Sequence, residues 1–175
     1  MIQTERLILR PWREADRAAF AAMNADPDVM HDFPAPLTRA ESDAKLDRYQ
    51  TSIETIGYGR WLIERREDGA FLGYTGVMPI FPDHPCAPGD EIGWRMIRAA
   101  WGFGYASEAA AAALADGFER LNLEEIIAYT APTNRRSRAV MERLCMAPDP
   151  ARDFQDPLHG PFVVYAARAL RAPGL

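Results

Sequence analysis

Residues 98 to 114 read RAAWGFGYASEAAAAAL. Gly102 and Gly104 stand directly ahead of a run of strong helix formers, so a helix is expected to begin near Tyr105. The first turn of a helix has amide N–H groups without intrahelical partners and carries a partial positive charge. Glycines placed before it let a ligand come close to the main chain. The combination suits an anion such as a phosphate or pyrophosphate. The pattern G-x-G-x-x-S is not the dinucleotide fingerprint, and no Gly-Lys-Ser/Thr follows to make a P-loop. The ordinary alternative is a plain turn, followed by a helix whose alanines 109 to 113 pack closely on a sheet.

The elements that must hold this turn can be read from periodicity. ERLILRPW alternates around Leu7 and Leu9 as a strand does. READRAAFAAMNADP places Ala15, Ala18, Ala19 and Met23 at helical spacing and closes at Pro27. Thr38 with Glu41 three residues on forms a capping box. A stripe of Leu46, Tyr49, Ile53 and Ile56 follows, and Gly57 ends it. GRWLIERRE, DG and AFLGYTGVMPI read as a hairpin, FPDHPCAPGD as a loop and EIGWRMI as a strand. After the glycine turn and its helix come a strand in LEEIIAYTAP and a helix in TNRRSRAVMERLC, capped by Thr133 or Asn134. A closing strand follows in GPFVVYAARAL. The order β, α, α, β, β, β, α, β, α, β implies an α/β protein with a mixed sheet. Hairpins make its first half antiparallel, and strand–helix–strand units bring some parallel pairing to the second.

Composition excludes several classes. Acidic residues number 25 against 20 basic ones, a net charge of −5, which argues against a general nucleic-acid binder. Nineteen of the 20 basic residues are arginine. No apolar run nears the roughly 20 residues that span a bilayer, and charges interrupt the apolar N-terminal stretch MIQTERLILRPW, unlike a signal peptide. A cytoplasmic protein without a membrane partner is expected. Cys86 and Cys145 offer no zinc spacing, and Cys145, among apolar neighbours, is expected in the core. His31, His84 and His159 lack metal-ligand spacing and are expected as loop residues, so no metal is expected.

The segments EIGWRMIRAAWGFGYASEAAAAAL and FERLNLEEIIAYTAPTNRRSRAVMERLCM resemble the GNAT superfamily of acetyl-CoA-dependent N-acetyltransferases. The nearest likeness is to the branch containing the ribosomal-protein N-terminal acetyltransferases. TERLILRPWREADRAAFAAMNADPDVM and DFQDPLHGPFVVYAARAL resemble its opening and closing segments, so the likeness covers nearly the whole chain. It implies one domain over residues 1–175. It also implies a mostly antiparallel sheet of about seven strands with about four helices. The donor would be acetyl-CoA and the acceptor a primary amine, at a protein N-terminus or on a small molecule. By the same likeness, the CoA pyrophosphate would sit on Arg98, Trp101, Gly102, Phe103, Gly104, Tyr105 and Ala106. The pantetheine arm would run along the backbone of Trp94, Met96 and Ile97 and pass Asn134, Ser137 and Arg138.

Several positions depart from the family pattern. Ala99 stands where many members carry Gln or Arg, and Met141 where many carry a tyrosine acid. Cys145-Met146 replaces Gly-Phe, and Gln155-Asp156 replaces Asp-His. Acetyl transfer to an amine needs a proton acceptor, and Glu91 is the candidate. Alternation puts Glu91, Gly93 and Arg95 on one strand face and Ile92, Trp94 and Met96 on the other. An N–H of Trp94 or Met96 would hold the thioester oxygen. Ser137 shares a helix face with Val140, Met141 and Leu144, and its hydroxyl needs a partner: either the leaving sulfur or its own helix carbonyl. Arg135, Arg136 and Arg138 are candidates for the CoA phosphates, with pairing to Glu142 the alternative for Arg138. Glu108 is read as a helix-dipole partner. Met30, Phe33 and the loop from Phe81 to Pro88 are candidate walls of the acceptor pocket. Met141 also keeps open a non-catalytic acyl-CoA-binding sensor or scaffold. A homodimer is left open.

Overall fold

The computed structural model describes residues 1–169, so Leu170, expected to end the last strand, lies outside the described residues. The strands are β1 (Ile2–Gln3), β2 (Leu7–Arg10), β3 (Trp61–Arg65), β4 (Phe71–Pro79), β5 (Asp90–Met96), β6 (Glu125–Thr130), β7 (Ala147–Pro148), β8 (Phe154–Asp156) and β9 (Gly160–Arg168). The helices are α1 (Arg17–Ala25) and α2 (Arg39–Ile56) between β2 and β3, α3 (Tyr105–Glu119) after β5, and α4 (Arg135–Arg143) after β6. The sheet runs β1-β2-β3-β4-β5-β6-β9-β7, with β8 added on β9. This is the expected mixed, largely antiparallel GNAT-type sheet flanked by four helices, and short strands bring the count to nine.

Among the described residues the β5–α3–β6 crossover makes the one parallel pair, as its strand–helix–strand order requires. β6 pairs antiparallel with β9, because the chain reverses through β7 and β8 before β9 begins. β5 follows β4 closely, from Gly73↔Met96 to Pro79↔Asp90. Against β6 it keeps a single register pair, Glu91↔Ile127. Beyond that pair the two strands part, and the β6-facing edge of β5 is left open.

Local sequence explains how the helices sit. In α2, the Thr38 hydroxyl accepts from the Glu41 amide while the Glu41 carboxylate accepts from the Thr38 amide, and Gly57 caps the end with φ +81°. Leu46 and Tyr49 are buried, whereas Ile56 at the frayed end of the stripe is largely exposed. In α1 the buried face is Phe20, Met23 and Asn24, while Ala18, and Ala15 just ahead of the helix, face solvent. Phe20 takes over because its ring packs edge-on against Trp12, 4.8 Å between centroids. Ala109, Ala110 and Ala113 are buried and bring α3 down onto the sheet. Gly117 completes that approach, since a Cβ there would lie 2.6 Å from Ile126 Cδ1. Cys145 corrects the expectation of a core thiol. It is exposed, with φ +56°, and turns the chain out of α4 so that Met146 enters the core.

Candidate active site

A cavity of about 1180 Å³ occupies the gap between β5 and β6 and reaches from the glycine turn to α2. Gly102 and Gly104 have φ +85° and +80°, the left-handed conformation that favours glycine. Among the described residues a Cβ at Gly102 would meet nothing within 4 Å, so the space over the turn is open. Among the described residues no side chain caps the start of α3, whose first residues line the cavity, so its first amides are left without a side-chain partner there. Trp101, Phe103, Tyr105 and Ala106 line this end, as do Arg135, Arg136 and Arg143. The Arg136 guanidinium lies 4.1 Å from the Trp101 ring centroid. A diphosphate would find uncapped amides and cationic side chains here. Glu108 is turned away, accepting from the Thr4 hydroxyl at 2.5 Å and from Arg6, and so ties α3 to the β1–β2 turn.

The open edge of β5 forms one wall. The Ile97 amide donates to the Leu72 carbonyl at 2.9 Å, on the β4 side. Strand alternation therefore turns the backbone groups of Met96 and Trp94 towards the gap. The Trp101 indole donates to the Met96 carbonyl at 3.1 Å on that side. Ile97 departs from expectation. Its amide is held by Leu72 and its carbonyl by the Ala100 amide, leaving neither for a ligand. Arg98 also departs: its guanidinium is ion-paired with Asp28, outside the cavity lining.

Glu91 sits where β5 and β6 separate. Its carboxylate is 2.5 Å from the buried Arg60 guanidinium, which also donates to the Gly76 carbonyl. Tyr129 faces Glu91 from β6. Burial first, and the Glu91 charge second, push its hydroxyl well above the usual phenol range. Across the cavity, Asn134 accepts from the Ser137 amide at 2.9 Å as the N-cap of α4, and donates to Asp32 at 2.5 Å. Ser137 lines the cavity, and among the described residues its hydroxyl makes no bond back to its helix. Arg138 points elsewhere, donating to the Tyr165 hydroxyl and the Pro132 carbonyl. Phe33 and Phe81 line the cavity, whereas Met30 is buried and does not.

An acetyltransferase (GNAT) domain model matches residues 6–147. The chain belongs to the GNAT acetyltransferase family. A solved acetyltransferase from Agrobacterium tumefaciens has the same fold. It is 32% identical with a TM-score of 0.82, over 96% of this chain and 94% of that one. An uncharacterized protein, YkkB, of Bacillus subtilis is 31% identical over 82% of this chain and 83% of its own. Mycobacterium smegmatis RimJ, solved in complex with CoA-disulfide, shares the fold at 20% identity and a TM-score of 0.73, over 93% of this chain and 82% of that one. These likenesses support the GNAT family without singling out the ribosomal-protein branch.

Little in the sequence of this GNAT chain points to the opposite wall of the cavity. Lys45, Arg48 and Tyr49 from α2, Arg60 ahead of β3, Tyr74 from β4 and Arg95 from β5 share one wall. All three histidines, expected only as loop residues, line the cavity too. His31 pairs with Asp32 at 3.0 Å, His159 with Asp156 at 2.7 Å, and the His84 ring stacks on Tyr129 at 4.7 Å. For Lys45 a signal did exist: it lies four residues before Tyr49, and so on the inner side of α2. For the others, only tertiary pairing brings the residues together. Burial would push the Tyr74 hydroxyl up, but Arg95 and Lys45 pull it down to about 7. Tyr49, whose ring centroid lies 5.3 Å from that of Tyr74, is pushed up, chiefly by burial.

Proposed function

We propose that this protein transfers an acetyl group from acetyl-CoA directly to a primary amine bound in the same cavity. The observation that carries the reading is the split after Glu91↔Ile127, which opens onto a glycine turn and an uncapped helix start. The open edge at Trp94 and Met96 has room for an extended arm and an N–H for the thioester oxygen. Gly102, Gly104 and the first turn of α3 would hold the pyrophosphate, with Arg135, Arg136 and Arg143 beside them. RimJ, sharing this fold, was solved with CoA-disulfide.

In the transfer, the amine nitrogen forms a bond to the thioester carbon and the carbon–sulfur bond breaks. Glu91, anchored by Arg60, takes the amine proton through a water. Ser137 donates a hydrogen bond to the departing sulfur, which replaces the contribution of a tyrosine at Met141. Protein N-termini, as in the ribosomal-protein branch, and small-molecule amines both fit this chemistry. We read residues 1–175 as one such cytoplasmic domain.

The test is a thiol-release assay with acetyl-CoA and a panel of amines. Release that depends on an amine and falls at least about tenfold in Glu91→Gln supports the assignment. Full turnover in Glu91→Gln removes Glu91 as the base. CoA binding without release for any amine would leave the non-catalytic sensor instead.

A further inference from the structure

The acceptor wall holds more buried positive charge than it neutralises. Arg95 is 8% exposed, and its Nη1 donates to the Asn24 side chain at 2.8 Å. Its guanidinium lies 4.3 Å from the Phe33 ring centroid and 5.8 Å from that of Tyr74. Among the described residues Arg95 has no carboxylate partner, and neither does Lys45. Burial is the main influence lowering the Lys45 ammonium. Tyr74 opposes it, while Arg95, Arg48 and Arg60 add to the lowering. Arg48 reaches the same wall over the Phe81 ring, 5.6 Å from its centroid.

The carboxylates that share the cavity are each engaged. Glu91 is held by Arg60, Asp32 by Asn134 and His31, and Asp156 by His159. Ionised Tyr74 would neutralise only one of the cations around it. A buried charge without a counter-ion is costly, so a wall of this kind is completed by an anion. Arg95 offers a planar, pre-positioned edge and Lys45 a compact charge, a pairing suited to a carboxylate.

Resting on the acetyl-transfer reading, we infer that the acceptor is an amine that also carries a carboxylate, held between Lys45 and Arg95 while its amine points towards Glu91. Polycationic amines would be repelled by the same wall.

The experiment is calorimetric titration of CoA-saturated protein with N-acetyl amino acids and, as matched probes, their carboxamides, with spermidine as a polycation. The acids should bind at least about tenfold more tightly than the carboxamides, the difference expected for a charge-assisted contact. Lys45→Met should shrink that preference towards unity, while Lys45→Arg, which keeps the charge, should retain most of it. Equal binding of acids and carboxamides, binding of neither, or preference for spermidine overturns the inference. Those results leave the acetyl-transfer reading intact, provided CoA binds. Failure of CoA to bind would remove both.

Discussion

Replacing Glu91 should cost stability as well as turnover, and the two effects can be separated. Arg60 is 5% exposed, and Glu91 is its only carboxylate partner among the described residues, at 2.5 Å. Removing the carboxylate leaves a buried guanidinium that retains only carbonyl acceptors. Breaking a buried ion pair on one side costs about 3–5 kcal/mol. For a chain of this length each kcal/mol lowers the melting temperature by about 2–4 °C, so Glu91→Leu should melt roughly 6–20 °C lower. Glu91→Gln keeps an oxygen for Arg60 and should lose less. The double variant Glu91→Leu/Arg60→Met removes both charges and should recover much of the deficit. Differential scanning calorimetry of the wild type and these variants measures each value. A Glu91→Leu protein that melts within about 1 °C of wild type would refute the claim that Arg60 depends on this carboxylate.

Other consequences follow from single residues. Gly104→Val places a branched side chain at φ +80° over the turn, and should lower CoA affinity more than about tenfold in a protein that circular dichroism shows still folded. Unchanged affinity would mean the turn is not the phosphate cradle. Tyr74 should give a phenolate absorbance near 295 nm that rises around pH 7 and is missing in Tyr74→Phe; absorbance flat until pH 9 would contradict the cationic wall. Because its folded value lies below the ordinary phenol value of 10.0, the ion's stabilising contribution is complete above about pH 10 and fades as the pH falls to about 7. Cys145→Gly should stabilise by about 1 kcal/mol in urea unfolding, because a left-handed non-glycine residue is relieved; a loss of stability would show that the thiol contributes packing.

The elements were legible because short-range rules decide them. The Thr38–Glu41 capping box, the Gly57 stop and the start of α3 at Tyr105 all depend on residues within a few positions of each other. The alternation of β5 was equally legible: Glu91 and Arg95 reach polar partners while Ile92 and Met96 enter the core. Other features depend on partners far along the chain. Arg98 was expected at the phosphate, but Asp28, seventy positions away, holds it. Ile97 could not be excluded without knowing that Leu72 takes its amide. The exposure of Cys145 follows from the backbone turn after α4, which overrides an apolar sequence neighbourhood. The cationic wall was least visible of all, since Lys45, Tyr74 and Arg95 sit on three different elements.

Every step proposed above depends on acetyl-CoA binding at the glycine turn and the open edge of β5. Calorimetric titration with acetyl-CoA, CoA and dephospho-CoA, alongside NAD and ATP, tests it most directly. Selective micromolar binding of acetyl-CoA and CoA, with NAD and ATP silent, is the predicted result. Folded protein that binds neither acetyl-CoA nor CoA would contradict the account.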